Sequence, residues 1–133
     1  EMARVVKPGG RVVLCCWLSC DDPRDWERRM LIEPIRRDGM LVGLADERRV
    51  RAWLESADLE LLEAADLSSL VEKTWSECLR QVIRMSIVDP KVRRLILSDF
   101  RRNLRMGLTL SGIRIAYALG ALRYVVFTAQ RRT

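Results

Sequence analysis

The sequence predicts an α/β fold, because three short apolar segments with the composition of strands are separated by segments with helical periodicity. The strands fall at residues 11–17, 59–65 and 122–130. Two helical stripes separate the first strand from the second, and a longer helical stretch separates the second from the third. The predicted order is therefore helix, strand, two helices, strand, three helices, strand.

The first predicted strand follows a clear stop signal. Residues 7–10 read Lys-Pro-Gly-Gly, which ends the opening helix in a tight turn. Residues 11–17, Arg-Val-Val-Leu-Cys-Cys-Trp, then form a nearly continuous apolar run. Such a run is typical of a strand covered on both faces in a mainly parallel sheet, so we expect helices above and below it.

Two helices are predicted between the first and second strands. A short helix starts at about Asp25 and is interrupted by Pro34, which lacks a backbone donor. A second helix starts at Asp46, a favourable N-cap. Its apolar stripe consists of Val50, Trp53, Leu54 and Ala57. We expect this stripe to face the core.

Three helical stripes are predicted between the second and third strands. They occupy residues 67–119, and the Asp89-Pro90 pair separates the first stripe from the second. The final segment is rich in Tyr, Val and Phe, which favours a closing strand. The predicted division of the chain is residues 1–66, a helical insertion at residues 67–121, and a closing strand at residues 122–133.

The charge and the cysteines argue against several kinds of site. The net charge of +6 comes from arginines that occur in pairs, most of them interleaved with Asp and Glu. This spread predicts solvated helix faces. It argues against a nucleic-acid partner, since nucleic acid binds tightly to surfaces where positive charge is concentrated. The four cysteines are Cys15, Cys16, Cys20 and Cys78. They match no zinc spacing and the chain has no histidine, so we expect no metal site. We expect the thiols of Cys15 and Cys16 to be packed in the core of a protein from a reducing cytoplasm.

The sequence also lacks histidine and any long apolar stretch. Without histidine, the chain lacks the commonest general base. No uninterrupted apolar stretch approaches the roughly 18–20 residues that a membrane span requires. We therefore expect no membrane span, and a reaction that can proceed without an imidazole.

Residues 1–14, Glu-Met-Ala-Arg-Val-Val-Lys-Pro-Gly-Gly-Arg-Val-Val-Leu, resemble a late motif of the class I S-adenosylmethionine-dependent methyltransferases. In that family the motif comprises a helix, a Pro-Gly-Gly turn and the fifth strand of the sheet. Within the superfamily, three features are similar to the tocopherol C-methyltransferase-like group. They are the Cys16-Trp17 pair, the long helical insertion, and the ending Gly-Ala-Leu-Arg-Tyr-Val-Val-Phe-Thr-Ala at residues 120–129.

The resemblance implies the carboxy-terminal half of a Rossmann-like methyltransferase fold. The three predicted strands would be strands five, six and seven, with the last lying antiparallel between the other two. The inserted helices would form a cap over a substrate pocket. The intact parent would transfer a methyl group from S-adenosylmethionine to carbon, nitrogen or oxygen of a small, hydrophobic acceptor.

The family's cofactor-binding elements have no counterpart in this sequence. Those elements are a glycine-rich loop after the first strand and an acidic residue after the second. Backbone amides must approach the cofactor closely, and glycine permits that approach. We therefore expect the isolated chain to be inactive and to bind S-adenosylmethionine too weakly for calorimetry to detect.

Five residues are candidates for the acceptor pocket. Ligands of open α/β sheets gather at the carboxyl ends of the strands, where Cys16 and Trp17 are predicted to lie. Trp26 follows in a segment that could cover the pocket as a lid, and Trp75 and Tyr117 lie on the inserted helical stripes. Each of these side chains has ordinary packing as its alternative role. No catalytic residue is assigned, because methyl transfer needs mainly alignment of donor and acceptor away from water.

Two other functions are compatible with the sequence. The basic helices could bind nucleic acid or an anionic lipid surface without catalysis, and such binding would weaken as salt is added. Alternatively, the chain could be a truncated regulatory partner of a complete methyltransferase. In that case it could self-associate through an exposed sheet edge, where the first strand lacks its neighbour.

Overall fold

A computed structural model describes residues 2–132, and its elements follow the predicted order. Helix α1 (Met2–Val5) precedes strand β1 (Arg11–Ser19). A helical segment then comprises α2 (Asp25–Glu27), a π-helical turn (Arg28–Ile32) and α3 (Glu33–Asp38). Helix α4 (Glu47–Ser56) leads to strand β2 (Leu59–Asp66). Helices α5 (Ser68–Val88), α6 (Pro90–Ser98) and α7 (Phe100–Ala118) precede strand β3 (Leu122–Arg131).

The three strands form one sheet in the order β1–β3–β2, and β3 is antiparallel to both neighbours. The register places Trp17 opposite Tyr124. A β-bulge at Leu62 shifts the pairing of β2, so that Leu61 and Ala64 both pack on the same side of the sheet. The arrangement that the resemblance implied, with the last strand between the other two, is confirmed.

Helix α4 covers one face of the sheet. Asp46 caps it, because the Asp46 side chain accepts a 2.7 Å hydrogen bond from the Arg49 N–H. The buried residues on this side, here called the α4-face cluster, are Val12, Leu18, Val50, Leu54, Leu59, Val125, Phe127 and Ala129. Trp53 is 58% exposed, so the prediction that it faces the core is wrong. It lies to one side of the line from Val50 to Leu54 that contacts the sheet.

The opposite face of the sheet is covered only in part. Its buried residues, here called the α7-face cluster, are Leu31, Ile35, Ile113, Ala116, Tyr117, Ala121 and Leu122. On β1, Val13 is 59% exposed and Cys15 is also exposed. The prediction that β1 is covered on both faces is therefore wrong for the described residues. Helices α1 and α4 both pack on the other side, where Ala3 and Val6 join the α4-face cluster.

Pro34 does not interrupt the helical segment as predicted. The preceding π-helical turn is wider than an α-helical turn, and the Glu33 N–H bonds to the carbonyl of Arg28, five residues back. This turn leaves room for the proline ring at the start of α3. The segment continues to Asp38 and brings Ile35 into the α7-face cluster.

The inserted helices pack loosely. None of residues 60–108 is buried, and α5 and α6 contain no buried residue. The accessible surface of the structure is 9445 Å², whereas a compact monomer of 15.4 kDa exposes about 7,200 Å². The excess indicates that much apolar surface on these helices and on β1 lacks a covering element in the described part of the chain.

An ion-pair network joins α4, β2 and β3. The Arg123 Nη1 lies 2.9 Å from the Glu47 Oε2, and its Nη2 lies 2.8 Å from the Asp66 Oδ2. A hydrogen bond from Arg51, aided by one from Arg123, lowers the pKa of Glu47 despite burial. Burial alone would raise the pKa of Asp66, but hydrogen bonds from Ser68 and Arg123 outweigh it, so this pKa is also lowered.

Removing the guanidinium of Arg123 is expected to change how the stability of the fold depends on pH in acid. Carboxyls whose pKa is lower in the folded state contribute stability above their unfolded pKa of about 4, and that contribution is lost as pH falls through the folded value. Arg123→Gln should therefore lower the free energy of unfolding at pH 7 by about 1 kcal/mol, after allowance for solvent screening. It should also lose less stability than the parent between pH 5 and pH 3.

Urea unfolding at several pH values measures this difference. Arg132→Gln is the matched control, because the Arg132 Nη1 lies 4.0 Å from the Asp58 Oδ1 and both side chains are exposed. The control should follow the parent at every pH. Parallel curves for the parent and the Arg123 variant would show that the network adds no pH-dependent stability.

Candidate functional site

The carboxyl end of β1 meets the first inserted helix through two tryptophans. The ring centroids of Trp17 and Trp75 lie 5.6 Å apart, with the ring planes inclined by 63°. This edge-to-face arrangement is favourable for aromatic pairs beyond their buried area. Both side chains are half-buried, so part of each indole is accessible to solvent. The structure thus brings two of the predicted site residues into contact.

Tyr117 stands in the same aromatic region. It is 6% exposed and belongs to the α7-face cluster, against which Trp75 packs. Its hydroxyl oxygen is buried and has no hydrogen-bond partner among the described residues. Burial, with smaller contributions from Tyr124 and Asp66, raises the pKa of Tyr117 far above its usual value. Tyr117 is therefore a neutral hydroxyl with an unmet hydrogen bond, which is uncommon in protein interiors.

Tyr124 is a member of this region that is not among the predicted site residues. It packs against the α7-face cluster. A hydrogen bond with the Cys15 thiol raises the pKa of Tyr124, and burial adds to the effect. The Tyr124 N–H donates to the Ser68 Oγ at 2.9 Å, and its carbonyl accepts from the Leu67 N–H at 2.8 Å. Tyr124 therefore ties the start of α5 to the sheet. The resemblance implies only that the last strand is antiparallel to the first, so the pairing of Tyr124 with Trp17 could not be predicted from it.

A cavity of about 410 Å³ lies between β1 and residues 42–53. Cys16 and Trp17 both line it, as do Leu18, Val42, Leu44, Ala45, Val50 and Trp53. The lining is mainly apolar, and Arg49 adds a charge. Trp17 belongs both to this cavity and to the aromatic pair, so it connects the two parts of the candidate site.

Cys16 and Trp26 do not join the aromatic region. Cys16 packs against the α4-face cluster, since alternate side chains of a strand point to opposite faces. Burial, and to a lesser extent the neighbouring Cys15, raises the pKa of the Cys16 thiol, which makes it a weak nucleophile. Trp26 is 45% exposed on α2 and belongs to neither buried cluster. Its role as a lid stays a prediction.

Residues 2–132 form neither a metal site nor a cofactor cradle. Within residues 2–132, no group of three or more Cys, Asp or Glu side chains is placed to hold a metal ion. Gly9 and Gly120 have positive φ angles of 74° and 70°, but they lie before β1 and β3 at the amino ends of these strands. A cofactor cradle needs glycines at the carboxyl end of a parallel strand. The residues described here therefore do not form such a cradle.

Solved structures share this architecture, although no family model and no curated relative matches the sequence. A cyclopropane synthase from Mycobacterium tuberculosis matches 98% of this chain and 47% of its own, with a TM-score of 0.79 and 12% identity. A protein from Galdieria sulphuraria, assigned as a sarcosine dimethylglycine methyltransferase, matches 98% of this chain and 45% of its own, with a TM-score of 0.77 and 16% identity. The chain has part of the methyltransferase fold.

A third structure with the methyltransferase fold is the geranyl diphosphate C-methyltransferase from Streptomyces coelicolor A3(2), which holds Mg²⁺, geranyl diphosphate and S-adenosyl-L-homocysteine. It matches 98% of this chain and 39% of its own, with a TM-score of 0.64 and 16% identity. The chain spans less than half the length of each of these three proteins. In the described part of this methyltransferase fold, no helix is long and apolar enough to cross a membrane.

Proposed function

We propose that this chain is the carboxy-terminal half of an S-adenosylmethionine-dependent methyltransferase that acts on a small, hydrophobic acceptor. The observation that carries the proposal is the Trp17–Trp75 pair, which packs through Trp75 against the cluster that contains the partnerless hydroxyl of Tyr117. An apolar wall next to one unmet polar group is the usual composition of a small-molecule site. The methyltransferase fold and the adjoining cavity of about 410 Å³ support this assignment.

The methyl donor in this proposal is S-adenosylmethionine. When bound, it supplies a methyl group activated on a sulfonium centre. Because the described residues form no cofactor cradle, the donor would be held mainly by segments outside these 133 residues. The residues of this chain would bind the acceptor, orient it and exclude water, which are the main requirements of methyl transfer.

Each member of the site has a separate task in the proposal. The indoles of Trp17 and Trp75 offer flat apolar surface to the acceptor. The neutral hydroxyl of Tyr117 can accept a hydrogen bond from an O–H or N–H of the acceptor and so orient its lone pair. The high pKa of Tyr117 excludes it as a general base near neutral pH, so proton removal would fall to solvent or to another group.

The finer assignments are also proposals. The tocopherol C-methyltransferase-like group is supported by the position of α5, α6 and α7 between β2 and β3. The division at residues 67–121 is supported by α5 and α6, which contain no buried residue, whereas β2 and β3 on either side contribute to the α4-face cluster. A reducing cytoplasm is supported by the four free thiols. Self-association is supported by the outer edge of β1, which among the described residues is paired only through the isolated bridge between Leu18 and Ala45.

Fluorescence of the native tryptophans tests the acceptor site. Geranyl diphosphate, which joins an apolar chain to an anionic diphosphate, should alter the emission of the chain, whereas inorganic diphosphate, which lacks the apolar chain, should have little effect. Trp75→Ala should weaken binding of geranyl diphosphate roughly 10-fold, because it removes one indole of the pair. Leu70→Ala is the matched control, since Leu70 is an exposed apolar residue of the same helix outside both clusters. Equal affinities of the two variants would place the acceptor elsewhere.

The coding sequence upstream of Glu1 tests the enzyme assignment. We expect a strand followed by a Gly-x-Gly-x-Gly loop about 90–110 residues earlier, an interval that follows from the size of a βαβαβα unit with short loops. The polypeptide that includes this segment should bind S-adenosylmethionine and transfer its methyl group. A complete polypeptide with such a loop that fails to bind the donor would refute the proposed function.

A further inference from the structure

Most of the net charge of the chain lies in one stretch of 22 residues. Residues 84–105 contain seven basic and two acidic residues, a net charge of +5, whereas the whole chain has a net charge of +6. This stretch comprises the end of α5, all of α6 and the start of α7, and is here called the basic tip. The sequence interpretation of dispersed arginines misses this concentration, which a count of charges over residues 84–105 reveals.

The acidic residues of the basic tip are already engaged in capping. The Asp89 Oδ1 accepts a 2.8 Å hydrogen bond from the Lys91 N–H, and Asp99 caps α7 and pairs with Arg102. The other basic side chains are exposed. Among the residues described, no ion pair is formed by Arg84, Lys91, Arg93, Arg94, Arg101 or Arg105. The positive field of the tip is therefore largely uncompensated.

Large apolar side chains are exposed among these cations. They are Ile87, Val88, Leu95, Leu97, Phe100 and Leu104. Leu95 directly follows Arg94, and Phe100 directly precedes Arg101. Exposed apolar side chains at this density indicate an interaction surface.

We propose that the basic tip docks on an anionic lipid surface. Lys and Arg side chains are attracted to anionic headgroups, and neighbouring apolar side chains enter the boundary between the headgroups and the acyl chains. Phosphates of nucleic acid would satisfy the cations but would leave the aliphatic side chains in water. A second copy of the chain would bring another net charge of +5 against the first. The inference does not depend on the proposed function.

Co-sedimentation with lipid vesicles tests this inference on the 133-residue chain. The chain should bind vesicles that contain phosphatidylglycerol, should not bind pure phosphatidylcholine, and should dissociate as NaCl is added. The double variant R94Q/R101Q should lower the partition coefficient roughly 30-fold. The double variant L97S/F100S should lower it about 10-fold or more, because it removes the inserted apolar groups.

A matched control separates local from overall charge. R28Q/R29Q removes the same number of charges from exposed arginines outside the tip, and should change the partition coefficient less than about 3-fold. All variants change exposed side chains, and unchanged helical circular dichroism confirms that they fold. Three results would overturn the inference: an equal loss in the control, binding to duplex DNA that is tighter than to vesicles and unaffected by L97S/F100S, or dimers that form through the tip without lipid.

Discussion

Phe127→Ala should cost about 3–5 kcal/mol and remove most of the cooperative unfolding of this protein. Phe127 is 0% exposed, and it lies in β3, the central strand of the sheet. It packs in the α4-face cluster with Leu18 and Val125, so truncation leaves a cavity that the surrounding strands cannot fill. Domains have total stabilities of about 5–15 kcal/mol, and this chain also carries excess exposed surface. The loss is therefore a large fraction of the total.

Urea unfolding followed by far-ultraviolet circular dichroism gives the comparison. Leu62→Ala is the matched control, because Leu62 is the exposed residue of the bulge in β2. We expect it to cost less than about 1 kcal/mol, since little apolar area is removed from the interior. A Phe127 variant that unfolds with the same midpoint as the Leu62 variant would contradict the position of β3 at the centre of the core.

Tyr117→Phe should affect stability and function in opposite directions. Removing a buried hydroxyl that has no partner should stabilise the isolated chain by about 1 kcal/mol, because the desolvation cost of that group disappears. Under the proposed function, the same change should lower methyl transfer by the complete polypeptide roughly 10- to 100-fold, because the acceptor would lose an orienting hydrogen bond. A site that costs stability in the absence of its ligand is a common property of enzymes.

Thermal unfolding of the isolated chain and methyl transfer by the complete polypeptide measure the two effects. Tyr124→Phe is the control for stability, because the Tyr124 hydroxyl already bonds to Cys15 and its removal should destabilise the chain. If Tyr117→Phe destabilises the chain as much as the control does, the Tyr117 hydroxyl has an internal partner. Unchanged transfer by the Tyr117 variant would remove this residue from the acceptor site.

Local patterns predict the order of elements in this protein well. The Pro-Gly-Gly turn, the N-cap Asp46 and the Asp89-Pro90 pair each act on the backbone within a few residues, so their effect does not depend on distant contacts. The sheet order required more than local patterns. It came from the resemblance of residues 1–14, because strand alternation carries no information about which strands pair.

The wrong predictions concern packing, which local patterns do not determine. Trp53 has helical spacing with Val50 and Leu54, yet the sheet contacts Val50, Leu54 and Ala57 and leaves Trp53 to one side. Pro34 follows a π-helical turn that hydrophobic periodicity does not reveal. The continuous apolar run of β1 predicts cover on both faces, but helices α1 and α4 lie on the same side.

For the candidate site too, the sequence indicates the types of residue but not their positions relative to one another. The residue types of Trp17, Trp75 and Tyr117 indicate an apolar pocket, whereas their contact depends on how α5 and α7 cross the sheet. Cys16 is next to Trp17 in sequence, but strand alternation places its side chain against the α4-face cluster. The partnerless hydroxyl of Tyr117 is visible only once the surrounding cluster is known.

The two buried clusters lie on opposite sides of one sheet and share no residue. Substitutions at separated sites have nearly additive effects on stability, so changes around Tyr117 and Trp75 need not disturb the packing of Phe127 and Leu54. The α4-face cluster can therefore stay constant while the residues around the Trp17–Trp75 pair vary. Under the proposed function, homologous proteins could therefore differ in the acceptor that they bind through a few substitutions and keep the same sheet.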